Sequence, residues 1–132
     1  MSRPELIKIA DLSAVLTRLQ NKQLEFDFFG IHSKGDDCVY FIPESDLFVI
    51  DFEAMYKEQL AWMDKLKQFA EQNAYMVQMT TYGNKPRYKT SGTAPVLRIV
   101  TKSNLEQTAA IGQKIMSQVF GNDERTIYEV VP

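Results

Sequence analysis

The run Tyr82-Gly83-Asn84-Lys85-Pro86-Arg87-Tyr88-Lys89 interleaves cations with aromatic rings, and both suit single-stranded nucleic acid. Lys85, Arg87 and Lys89 can neutralise phosphates while Tyr82 and Tyr88 stack on bases. The same cations suit an acidic protein surface, or a solvated loop that binds nothing. Further along, Thr101-Lys102-Ser103-Asn104 joins a strand end to a helix start, where free N–H groups and the helix dipole favour a phosphate or carboxylate. No glycine-rich phosphate fingerprint accompanies it, and Ser103 has the simpler use of capping its helix. Tyr82, Lys85, Arg87, Tyr88, Lys89 and Lys102 are thus the candidate partner-binding or anion-binding residues.

Nucleophilic and metal chemistry have little to work with. There is one histidine, His32, and one cysteine, Cys38, so no Ser-His-Asp or Cys-His set forms without His32, and a conventional zinc site lacks ligands. His32 ends a strand beside a glycine-containing turn, an ordinary place for a solvated imidazole. Cys38 opens the apolar run to Ile42, where a buried, inert thiol is expected. Carboxylates are plentiful: Asp27, Asp36, Asp37, Glu44, Asp46, Asp51 and Glu53. A helix, three antiparallel strands and a second helix resemble the core of metal-dependent nucleases of the PD-(D/E)xK type, where an Asp and an E-x-K bind magnesium and activate water. Asp27 can stand for the first acid. The following strands run Phe41-Ile42-Pro43-Glu44-Ser45 and Asp51-Phe52-Glu53-Ala54, and neither supplies the lysine. No catalytic residue, cofactor or metal site is assigned.

Charge is sorted along the chain. No Asp or Glu lies between Glu71 and Glu106, an interval holding Lys85, Arg87, Lys89, Arg98 and Lys102, although the whole chain carries a formal net charge of -2. Residues 1 to 71 carry thirteen acids against eight bases. An acidic pI of about 5.4 argues against binding nucleic acid or an anionic membrane over the whole surface, so a polyanion has to be met locally. A lone cysteine, no apolar signal core and no long apolar stretch lead to the expectation of a cytoplasmic protein without a membrane partner.

The elements that must position these residues follow from periodicity. Length fits a single domain over 1–132. Leu12, Val15, Leu16 and Leu19 predict a helix from about 12 to 21, and residues 4 to 10 suit either helix or a short strand, Ser2 and Glu5 having capping-box spacing. Leu24, Phe26 and Phe28 alternate with acids and predict a strand, returned by Cys38 to Ile42 and again by Leu47 to Ile50 in a meander. A helix is predicted from about Phe52 to Gln72, with an apolar face over half its circumference. Strands are expected at Tyr75–Tyr82 and Val96–Val100, joined by a long charged loop, then a helix capped by Ser103 and Glu106, and a last strand at Thr126–Val131. On that helix Gly112 allows close approach to a sheet. The order is α-βββ-α-ββ-α-β: an α+β domain with a mixed, mostly antiparallel sheet and packed helices.

The element order and acidic pI are similar to those of the small dimeric chaperones of type III secretion, which bind unfolded effector segments. The final strand departs from that order, and no residue is carried across. From the residues themselves, the expectation is a non-catalytic protein–protein interaction module that self-associates. Trp62 and Phe69 on the wide helix face are its contact anchors, and the basic loop meets an acidic partner. The alternative is a nucleic-acid or phosphate-ligand binder using residues 82–102; a third is a nuclease-like metal enzyme with a degenerate acidic site.

Overall fold

Strands rich in buried apolar residues build one sheet. The computed structural model describes residues 3–132; Ser2, half of the first expected capping box, lies outside them. β1 (Glu5–Ile7) leads through a short 3-10 turn to α1 (Leu12–Gln20), so the segment 4–10 is strand and turn. β2 (Phe29–His32), β3 (Val39–Glu44) and β4 (Leu47–Glu53) form the antiparallel meander. α2 (Gln59–Gln72), β5 (Met76–Thr80), β6 (Val96–Ser103), α3 (Leu105–Lys114, prolonged by a π turn to Val119) and β7 (Tyr128–Val131) complete the chain. Strand order is β1-β7-β2-β3-β4-β6-β5, antiparallel throughout. The α+β class and element order are as expected.

Register puts Phe29, Ile31, Phe41, Ile50, Phe52, Leu97, Ile99 and Tyr128 on one face. There they join Leu12, Val15, Leu16 and Leu19 of α1, Met63, Leu66 and Phe69 of α2, and Ile111, Ile115 and Met116 after them in a single core. Each such side chain contributes about 1.5–3 kcal/mol on leaving water. α1 spends its i, i+3, i+4 stripe on this core. Gly112 brings α3 against it: a Cβ there would lie 2.7 Å from Leu12 and 3.2 Å from the Phe41 ring. The helices occupy this face, leaving the other without a helical layer.

Three boundaries differ from expectation. Residues 24–28 lie outside any strand, and the ladder of β2 with β3 stops at Phe29↔Phe41, two residues short of Pro43, which has no N–H to donate. The apolar alternation of Phe26 and Phe28 therefore has no strand to pair with. The second helix begins at Gln59, not Phe52. Phe52 belongs to β4 opposite Leu97, and the turn that follows is closed by Gln59, whose side-chain oxygen accepts from the N–H groups of Met55 and Tyr56, both at 2.9 Å. Finally, the box that opens α3 is Asn104 with Gln107: Asn104 accepts from the Gln107 N–H at 2.8 Å and Gln107 returns the bond at 3.0 Å. Ser103 instead exchanges a 2.7 Å bond with the buried Thr108 hydroxyl.

Candidate functional site

Three groups of side chains compete for a functional role: the basic loop, the helix-free face of the sheet, and the strand β5 at its margin.

The loop from Gly83 to Pro95 is tied down by its backbone. Arg87 N donates to Met55 O at 2.8 Å, Ala94 N to Asn84 O at 2.6 Å, and the Asn84 amide to Glu53 at 2.9 Å. Lys85, Arg87 and Lys89 stand exposed on this frame, without an ion-pair partner among the described residues. The tyrosines are committed within the chain. Tyr88 is half-buried and donates its hydroxyl to Ala54 O at 3.0 Å, with the Lys89 ammonium 6.0 Å from its ring centre. Tyr82 leaves the loop altogether and donates its hydroxyl to Asp51. Lys102 stands apart on β6, in the left-handed region at φ 45°, where the register with β4 shifts between Phe48 and Ile50. Neighbouring hydroxyls occupy one another: Thr101 donates to Phe48 O at 2.8 Å and lies 2.9 Å from Ser103. The cations that adjoin in sequence thus form a loop cluster with Lys102 outside it.

On the helix-free face, the acid Asp51 is fully buried. It is affordable there because Arg98, its register partner on β6, donates to both carboxylate oxygens at 2.8 and 2.9 Å, with Tyr82 adding a third bond. The pairing holds the Arg98 guanidinium even more firmly protonated, and burial together with Asp51 pushes the Tyr82 phenol upward. Tyr82 also stands edge-on to Tyr40 at 6.4 Å, Tyr40 to Phe28 at 6.0 Å, and Phe28 lies 6.2 Å from Phe26. The result is an aromatic row across the face. Gly30 makes room for it, since a Cβ at that position would come within 2.8 Å of the Tyr40 ring. In sequence Asp51 was one of the seven acids from Asp27 to Glu53, just past the strand expected at Leu47 to Ile50, and Arg98 a base inside the strand expected at Val96–Val100; their pairing needs the register.

β5 carries the sequence Met76-Val77-Gln78-Met79-Thr80 and bonds to β6 on one side. All five residues are exposed. Val77 and Met79 share the helix side with Ile99 and Leu97, while Met76 and Gln78 share the other side with Val100 and Arg98.

The remaining expected residues lie outside these three groups. Phe69 lies in the core at 4 % exposure, and Trp62 is half-buried, 5.0 Å from the Phe120 ring, with its indole N–H donating to Asp36 at 3.3 Å. The wide apolar face of α2 is thus consumed largely by the sheet and the π turn after α3. His32 is half-buried, 2.9 Å from Glu129 across the β2–β7 pair. Cys38 is partly buried, and burial, with the neighbouring acids Asp37 and Glu53, pushes its thiol up to about 12. Asp27 is exposed within the 24–27 bends. Among the described residues no three His, Cys, Asp or Glu side chains gather so as to hold a metal ion, and no helix is long and apolar enough to cross a membrane. No protein-family model, characterised protein or solved structure matches the chain.

Proposed function

We propose that the protein is a non-catalytic protein–protein interaction module that associates with copies of itself. The supporting observation is the grouping of its exposed apolar side chains. Single exposed apolar residues are ordinary on any soluble protein. Here they gather, in the row Phe26, Phe28 and Tyr82 on the helix-free face and in Met76, Val77 and Met79 of β5. Contiguous apolar surface of this kind marks contact regions. Light scattering coupled to size-exclusion chromatography tests the reading across a concentration series. The expected result is a mass above that of one chain that falls on dilution; a single-chain mass at high micromolar concentration overturns it.

A second reading, binding of nucleic acid or a phosphate ligand, draws on Lys85, Arg87 and Lys89, which are exposed and not ion-paired among the described residues. The hydroxyls of Tyr82 and Tyr88 are bonded within the chain, which fixes the orientation of the two rings, and the Tyr82 ring remains 42 % exposed. This reading requires affinity for a short single-stranded oligonucleotide that falls steeply with salt. The same cations serve an acidic protein partner under the first reading.

A further inference from the structure

The sheet ends in two unlike edges. β1 is three residues long, follows Pro4, and carries Glu5 in an ion pair with Arg18. Brevity, proline and charge are the usual means of keeping an edge from pairing with another chain. β5 has none of them. It is five residues long, uncharged, and hydrogen-bonded to β6 alone, so its outward N–H and C=O groups have no strand to meet. Met76 is 70 % exposed and Met79 51 %, on opposite faces of the strand, so apolar surface flanks the unpaired backbone above and below.

We infer, on the basis of the self-association proposed above, that β5 is the contact strand. Its occupant is β5 of a second copy, running antiparallel about a two-fold axis through Gln78. Such a contact is isologous: whatever stands at a position meets its own mirrored position in the other copy. Gln78 then faces Gln78, whose amide both donates and accepts, so two identical side chains satisfy each other. Val77 faces Met79 on the helix side, apolar against apolar, and Met76 faces Thr80 on the other. A charge anywhere among these positions would be brought close to its own copy; β5 carries none from Met76 to Thr80. The uncharged, nearly palindromic character of the strand therefore selects a second copy over a strand of complementary charge. The two sheets become one continuous antiparallel sheet.

Gln78→Lys and Gln78→Glu test this. Gln78 is exposed in the single chain, so each variant should keep the far-UV circular dichroism of the wild type. Each should weaken homodimerisation about tenfold or more, because two like charges face each other across the axis. Mixing the two variants should restore association, since Lys then faces Glu. Amide exchange of the wild type supplies a readout that needs no variant: outward N–H groups within 76–80 should slow as concentration rises. Undiminished dimerisation of both variants, failure of the mixture to recover, or concentration-independent exchange in β5 overturns the edge contact while leaving self-association standing. A wild type that stays monomeric removes both.

Discussion

Removing the Arg98 guanidinium would leave the fully buried Asp51 side chain without its ion-pair partner. Arg98→Met should therefore destabilise the fold by about 3–5 kcal/mol in urea unfolding, whereas Arg98→Met combined with Asp51→Asn should recover much of the loss, because no uncompensated charge remains buried. Asp37 makes a second test at this scale. Burial alone would raise its pKa, but the Ser33 hydroxyl, the N–H groups of Lys34 and Ser33, and the Asn122 amide together hold it below its ordinary value of 3.8. A depressed carboxylate stabilises the fold fully above its unfolded pKa and loses that contribution as pH falls through its folded one. The stability gap between wild type and Asp37→Asn should thus be constant near neutrality and shrink as pH drops below about 4. A gap that is unchanged at pH 2.5 would remove Asp37 from this role. Neither residue was distinguishable in sequence from the five other acids around it, because hydrogen-bond partners as distant as Asn122 and Arg98 are fixed by the fold alone.

The elements show which local signals hold and which are overridden. α1 was legible since its stripe of Leu12, Val15, Leu16 and Leu19 has one use, burial against the sheet. Phe52 to Tyr56 fitted a helical wheel equally well, yet Phe52 is worth more opposite Leu97 in β4 than as the first turn of a helix. Periodicity cannot weigh a strand partner more than forty residues away. Phe26 and Phe28 failed for a related reason: alternation predicts a strand only where a ladder is available to extend it. The consequence for α2 is measurable. Phe69→Ala should cost about 3–5 kcal/mol of folding stability, as a buried aromatic does, rather than weaken association selectively. Trp62→Phe keeps the contact with Phe120 but loses the bond to Asp36 and should cost about 1 kcal/mol. Chemical denaturation of both variants at a fixed, low concentration separates the two effects; retention of full stability by Phe69→Ala would return that residue to the surface.

Across the whole molecule, the segregation of positive charge seen in sequence survives folding in part. Lys85, Arg87 and Lys89 share one loop, Arg98 is drawn inward by Asp51, and Lys102 stands on β6. Counting charge along a chain cannot separate a cation that neutralises a buried acid from one that faces water. The triple reversal of Lys85, Arg87 and Lys89 to Glu should shift stability by no more than about 0.5 kcal/mol, since exposed charges off any network contribute little. The same protein should lose any affinity it has for an oligonucleotide or an acidic partner. A large drop in melting temperature would show instead that the loop cations hold the fold.

The unlike edges of the sheet set how far assembly can proceed. Head-to-tail joining of two different margins has no reason to stop and leads to fibres, whereas a margin that meets only itself is used up at the first encounter. With β5 sealed against β5, what each copy still turns outward is β1, short and guarded by Glu5 and Arg18. Under the proposed β5 pairing, growth would terminate at two chains. Loss of the guard, by replacing Glu5 and Arg18 with β-branched residues, should convert a closed pair into a polymer, visible as turbidity and thioflavin fluorescence where the parent protein stays clear.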